Sequence, residues 1–306
     1  MLTEVIENLE VTAGGRYIDC TLGEGGHSEA ILELSQPGGQ LLGLDADHEA
    51  IMVSRNRLEK FKSSSFFVNS YFSNVSNIAH ELNFVPVHGV LLDLGLSSLQ
   101  LDFEERGFSF YDNNILDMRF GLNNNLTAKK IVNEYPENEI SNIIYQFSQD
   151  PNSRIIAKAI INNRPFNNSK ELADLISSIK LKVRRKHHPA TLTFQSLRMA
   201  VNDEVEELNK VLSDSFSLLG IGGRLAIISY HSTEDKIVKN FINKGLLTCE
   251  CPPLNLECNC NITPYMKILN KKPITPTHEE INQNPRSRSA KLRIIERIKW
   301  KLKNYL

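Results

Sequence analysis

Several stretches of this chain bring together side chains whose types and spacing can do chemistry. The longest is residues 89–119, GVLLDLGLSSLQLDFEERGFSFYDNNILDMR. It opens as an apolar run and passes through Asp93 into a turn of Gly and Ser. A buried strand ending in a carboxylate and a small-residue loop is what a parallel sheet offers a ligand at its carboxyl edge. The LDFEERGFSF block then packs charges, a glycine and phenylalanines together, a mixture no plain helix or strand needs. A Gly-rich loop, Gly23-Glu24-Gly25-Gly26-His27, follows the apolar RYIDC, and Asp45 ends the next apolar run. Two Cys-x-Cys pairs, Cys249/Cys251 and Cys258/Cys260, complete the set.

The acidic positions suggest what binds. In nucleotide-binding α/β folds, an acidic residue at the end of the second strand takes ribose hydroxyls, and Asp45 has that place. The loop is not a G-x-G-x-x-G, and Glu24 facing a pyrophosphate would be unfavourable. A cationic, phosphate-free cofactor such as S-adenosylmethionine tolerates an acidic mouth and still has a ribose for Asp45. The cysteine pairs can supply four thiolates, as a structural zinc site needs; the alternative is a reduced, solvent-facing loop.

The elements that must position these residues alternate. Strands are expected at 17–20, 40–44, 65–69 and 89–92, with helices at 28–34, capped by Ser28, and 48–61. This pattern predicts a parallel sheet. Residues 106–195 read as helical, at 127–135, 138–147, 153–163 and 169–181, and look like an insertion. A long helix at 201–219 is expected to stop at the glycines of 220–223. A strand at 225–229, a helix at 234–243 and a closing strand pair at 267–274 and 291–297 follow. The division expected is 1–105 and 196–306 for the sheet domain and 106–195 for a helical, substrate-recognising insert.

Composition bounds the function classes. A chain of 306 residues with 41% hydrophobic and 23% charged residues fits a soluble globular protein. No run of about 18 apolar residues marks a membrane span. The acidic start, MLTEVIENLEV, lacks a signal pattern, so the cytoplasm is expected. The net charge of −1 hides an asymmetry: residues 1–120 hold 7 Lys/Arg against 18 Asp/Glu, and the remainder 28 against 18. The basic excess gathers at 180–186 (KLKVRRK) and 286–303, so nucleic acid stays among the partners.

YIDCTLGEGGHS, LLGLDAD, LLDLGLSSLQLDFEERGFSF with LDMR, HPATLTFQSLRMAVNDE, GGRLAIISYHSTEDKIVK and NPRSRSAKLRIIER run in order over nearly the whole chain. Together they resemble the RsmH (MraW) methyltransferases, which methylate cytosine N4 in bacterial small-subunit ribosomal RNA. The resemblance implies a class I S-adenosylmethionine-dependent methyltransferase: a Rossmann-like α/β sheet with an inserted α-helical domain. It implies cofactor contacts at Gly25, Gly26, His27, Asp45, Phe72, Asp93 and Gln100. Phe72 would flank the adenine. Catalytic candidates are Asp93, Ser97, Ser98 and His231; for His231 the alternative is a structural cap on the next helix. His188, Thr191, Phe194, Gln195 and Arg198 would stack on or read the target base. The partner implied is 16S ribosomal RNA in the small ribosomal subunit, at the decoding region, with no membrane; a homodimer stays open. In place of the family's Tyr-Gly-Glu-Glu this chain has Phe147-Ser148-Gln149-Asp150, and Ile155 replaces an Arg. The other readings are a methyltransferase acting on another nucleic acid, a non-catalytic ribosome assembly factor and, disfavoured by Glu24, a nicotinamide dehydrogenase.

Overall fold

The computed structural model describes residues 1–97, 106–111, 113–121, 124–179, 188–249, 251, 260 and 262–300. The chain divides into two compact units, one of residues 1–95 with 206–306, the other of 96–205.

The first unit is a seven-stranded sheet flanked by helices. Its strands are β1 (Arg16–Asp19), β2 (Gln40–Asp45), β3 (Ser65–Asn69), β4 (Val87–Asp93), β5 (Leu219–Ser229), β6 (Met266–Ile268) and β7 (Lys291–Arg297), in the order β3-β2-β1-β4-β5-β7-β6. Strands β1 to β5 pair in parallel, and β7 runs antiparallel to both β5 and β6. Successive side chains point to opposite faces, so strands buried on both faces read as continuous apolar runs. Ile18, Leu42, Val90, Leu92 and Leu225 face one core, with α4 (Val75–Glu81), α10 (Glu204–Leu218) and α11 (Ser232–Gly245). Tyr17, Leu41, Leu91, Ala226 and Leu292 face the other, with α1 (Leu2–Leu9) and α2 (Gly26–Ser35). Each fully buried aliphatic side chain stabilises the fold by about 1.5–3 kcal/mol. The helix α3 (His48–Arg57) joins β2 to a short 3₁₀ turn, where one helix to residue 61 was expected.

Three expectations are corrected in this unit. Ser28 is not a cap: α2 starts at Gly26, and Ser28 lies buried within it. The glycines of 220–223 do not end a helix. They lie inside β5, where Val87 pairs with Leu219 but Gly89 with Arg224, so the extra residues bulge out of the ladder. The strand expected at 267–274 is only Met266–Ile268, and Ile274 meets Leu292 in an isolated bridge.

The second unit is helical: α5 (Ala128–Glu134), α6 (Glu137–Ser148), α7 (Ser153–Asn162), α8 (Ser169–Ile179) and α9 (Thr191–Val201). Ile131, Ile140, Ile144, Ile156, Ile160, Leu172 and Leu197 make its core. The helix α9 was not expected, and the units join at 95/96 and 205/206 where 105/106 and 195/196 were expected. The reason is packing: Leu197 and Val201 of α9 are core residues of the helical unit.

The long helix expected at 201–219 is broken at Asn202-Asp203, with Asp203 left-handed at φ 50°. The break frees the Asn202 side chain. Its amide donates to the carbonyls of Met118 (2.7 Å) and Arg198 (2.9 Å), and its oxygen accepts from Phe120 N (2.8 Å). Met118 is itself left-handed at φ 62°, an uncommon conformation for a residue other than glycine. Asp117 and Arg119 beside it form a two-point ion pair, at 2.8 and 2.7 Å. The LDMR and NDE sequence blocks are thus hydrogen-bonded partners inside the helical unit. Asn202→Ala should strand these buried groups and lower the unit's stability by about 1–3 kcal/mol. Urea unfolding followed by far-ultraviolet circular dichroism measures this, and a midpoint equal to wild type would refute it.

Candidate active site

The site is built where β1, β2 and β4 end side by side, each in an aspartate. Asp19 ends β1 and is almost fully buried. Its Oδ1 accepts from Thr21 N at 3.1 Å and its Oδ2 from the Ser28 hydroxyl at 2.7 Å. Thr21 reaches the other way as well, its hydroxyl accepting from Asp93 N at 2.7 Å. The Gly-rich loop is bound to its neighbours: Cys20 N donates to Leu91 O, and Leu22 N to Leu44 O.

Gly25 precedes α2 with φ 77°, and a Cβ there would lie 3.0 Å from Ser54 Oγ and 3.3 Å from Leu58. Both facts favour glycine. Gly26 is the first residue of α2, so open backbone N–H groups head the loop. The Ser54 hydroxyl donates to Gly23 O at 2.8 Å.

Asp45 ends β2. Its Oδ2 accepts from Gly23 N (2.9 Å) and its Oδ1 from Asp47 N (2.8 Å). A carboxylate has about four lone-pair sites, so both oxygens retain capacity for ribose hydroxyls. Burial pushes its carboxyl up to about 6, against the two backbone donors that pull it down. Asn69, at the end of β3, donates to the carbonyls of Asp45 and Ala46 and fixes the turn. Phe72 follows in a 3₁₀ turn, partly buried against the core.

Asp93 ends β4. Its Oδ1 accepts from the Tyr230 hydroxyl at 2.9 Å, and its Oδ2 lies 3.7 Å from His27 Nδ1. Burial raises its carboxyl, as it does that of Asp19; His27 and then Tyr230 oppose the shift at Asp93. The Nε2 of His27 is buried with no hydrogen-bond partner among the described residues. Three desolvated carboxylates and an orphaned imidazole nitrogen want a cation and a polar ligand. A sulfonium cofactor carrying an amino acid and a ribose fits this donor set.

His231 caps α11. Its Nδ1 accepts from Glu234 N at 3.4 Å, and Glu234 Oε2 accepts from Tyr230 N (2.8 Å) and His231 N (3.2 Å). Ser97 is half-buried, while Ser98 and Gln100 lie outside the described residues. Sequence reasoning missed Thr21, Ser28 in its real role, Asn69 and Tyr230. Only Thr21, two residues after Asp19, carried a local signal; Ser28, Asn69 and Tyr230 lie 9, 24 and 137 residues from the aspartates they serve.

The residues expected to hold the base sit in the helical unit. The His188 ring stacks on Phe110 at 4.6 Å and 11°, and Phe194 meets Phe110 edge-on at 4.9 Å. Tyr111 lies edge-on to His188 at 5.9 Å and is 75% exposed. Phe110 and Tyr111 were not singled out in the sequence. Thr191 opens α9, and Gln195 Nε2 lies 3.8 Å from Met199 Sδ. Arg198 differs from expectation: it is buried, and Nε and Nη2 clasp Glu204 at 2.7 and 2.8 Å. Asp150, in the departing block, is buried and accepts from Asn152 N, while Ile155 is exposed. The 180–186 run lies outside the described residues.

Cys249, Cys251 and Cys260 bring their sulfur atoms within 4.8 Å of one another; Cys258 lies outside the described residues. No helix among the described residues is long and apolar enough to cross a membrane.

A parallel five-strand core, an antiparallel β7 inserted between β5 and β6, and acids at the ends of β1, β2 and β4 define a class I S-adenosylmethionine-dependent methyltransferase. The pattern of the MraW methylase family matches residues 1–298. A protein of Dehalococcoides mccartyi named ribosomal RNA small subunit methyltransferase H is 52% identical over 301 residues, covering 97% of this chain and 85% of that one. One of the same name from Finegoldia magna is 40% identical over 304 residues, covering 97% of each. The chain belongs to the MraW methylase family.

The raised Asp45 carboxyl has a testable consequence. In the free protein it holds a proton up to about pH 6, where an unfolded aspartate near 3.8 has lost it. The ligand-free fold therefore loses stability as pH rises through that window. Ribose hydroxyls need the ionised form, so S-adenosylmethionine affinity should rise from pH 5 to 7 and level off above. Calorimetric titration in two buffers of different ionisation enthalpy should also show proton release near pH 6. A dissociation constant flat across this range would show that Asp45 is already ionised.

Proposed function

We propose that this enzyme transfers a methyl group from S-adenosylmethionine to N4 of a cytidine in the decoding region of 16S ribosomal RNA. The observation that carries the reading is Asp93: a half-buried carboxylate with a raised pKa, held by Tyr230 and Thr21 at the head of the family's LGLSSLQ turn. The family membership and the names of its relatives support the ribosomal substrate. The reaction's place is then the cytoplasm, with the small subunit.

When bound, the cofactor supplies an electrophilic methyl group on a sulfonium centre. The chain supplies alignment, desolvation and proton handling. Gly25, Gly26 and His27 hold the amino-acid part, Asp45 the ribose, and Phe72 flanks the adenine. Gln100 completes these contacts. Cytosine N4 is a weak nucleophile because its lone pair is delocalised into the ring. An acceptor for the amino protons concentrates that lone pair, and Asp93, Ser97 and Ser98 fill this role. His231 contacts the base through Nε2–H, the ring nitrogen that Glu234 Oε1 orients at 2.9 Å while Nδ1 serves the cap. His188 and Phe194, with Phe110 and Tyr111, form an aromatic platform for a splayed base, and Thr191 and Gln195 offer polar contacts to its edge. Arg198 acts through Glu204 and holds the helical unit in shape.

Small subunits from cells lacking the endogenous enzyme, incubated with protein and labelled cofactor, should yield N4-methylcytidine on nucleoside mass spectrometry. Asp93→Ala should lower the single-turnover rate by at least about a hundredfold, as loss of a residue acting on the developing charge does. Cofactor binding without label would favour an assembly factor. Label in another nucleoside, or only in another nucleic acid, would overturn the substrate.

A further inference from the structure

The connection between α11 and β6 carries chemistry that methyl transfer does not use. We propose that Cys249, Cys251 and Cys260 bind a structural zinc ion that cross-links this connection beside the edge of the sheet.

The first support is geometric. The three sulfur atoms lie within 4.8 Å of one another. Zinc–sulfur bonds of about 2.3 Å at tetrahedral angles place thiolates about 3.8 Å apart. Closing that difference takes small changes in cysteine side-chain torsion, and a further donor completes the tetrahedron. The backbone N–H of Cys251 donates to Cys249 Sγ at 3.3 Å. Cys20 is the internal contrast: it is buried alone, and burial pushes its thiol up, away from thiolate.

The second support is how the connection begins and ends. Its two ends meet: Tyr265 N donates to Gly245 O at 3.3 Å. A Cβ on Gly245 would fall 2.1 Å from Met266 Cε, so chain exit and return are packed in contact. Closing a long loop costs entropy that grows only slowly with length, and a metal within it offsets that cost through strong bonds. Three soft thiolates select zinc over the hard divalent cations. The connection leads into β6, a three-residue strand at the sheet's edge, whose ladder to β7 is short. A fixed loop keeps that strand in register.

The test is made on the full-length chain, tag removed and never exposed to chelator. Elemental analysis should find about one zinc per chain, as a single thiolate site holds. Cys249→Ser, Cys251→Ser and Cys260→Ser should each lose it, and Cys20→Ala should keep it. Because a serine variant could misfold, the wild type carries a second readout. Cobalt exchanged for zinc should give sulfur-to-metal charge-transfer bands of at least three thiolates. Release of the metal by a mercurial should remove amide-exchange protection at residues 265–269. No zinc together with no zinc uptake, a cobalt spectrum of fewer than three thiolates, or a mass showing two hydrogens lost to a disulfide would each overturn the proposal.

Discussion

Everything at the carboxyl edge follows from the cost of burying three aspartates together. Asp19, Asp45 and Asp93 are each desolvated, and each has its carboxyl raised by that burial. A buried charge persists only when donors surround it. The chain provides them from the loops that the cofactor also needs. Thr21 ties Asp19 to the backbone of Asp93, and Gly23 N ties the Gly-rich loop to Asp45. The loop is therefore shaped around the carboxylates, and its conformation and its electrostatics have one cause. What these donors leave unbalanced is negative potential, which a sulfonium neutralises and a pyrophosphate would aggravate.

On the proposed function the helical unit meets a different demand: a splayed base offers a flat π-face and one polar edge, and a stack of rings answers the first. Phe110 and His188 lie parallel, with Phe194 braced edge-on behind them. The rings come from the ERGFSF and HPAT blocks, far apart in sequence. The grip of Asn202 on the LDMR segment holds the same region from a third block. What looks in sequence like a set of independent motifs is one packed arrangement.

Much of this was legible in the chain. The strands β1, β2 and β4 were readable because they are apolar runs that end in acids, at Asp19, Asp45 and Asp93. The four amphipathic helices of the insert were readable from their 3.6-residue period. The failures share a cause, which is that local signals yield to tertiary partners. The glycines of 220–223 look like a helix stop, but they form a bulge because β4 pairs with Leu219 before them and Arg224 after them. The α9–α10 break is invisible to periodicity because Asn202 bends the chain for partners some 80 residues away. Ser28 has the composition of a cap, yet its hydroxyl serves Asp19. The pairing of Phe110 with His188 is a long-range contact that no local pattern encodes.

The charge asymmetry shows the same limit from the other side. The acidic first part places three of its carboxylates, Asp19, Asp45 and Asp93, at the ends of adjoining strands. The basic remainder is not simply a surface for phosphates. Arg293 is buried against Asp235, Arg198 clasps Glu204, and Arg297 donates to the carbonyls of Ser217 and Leu219 at the end of α10. These arginines stabilise the fold, the last by satisfying carbonyls that a helix end leaves open. Arg286 and Arg288 remain exposed in the same basic run. A phosphate backbone is therefore met by fewer cations than composition counts. The strength of RNA binding depends on those cations, and on stacking, far more than on the net charge of either part.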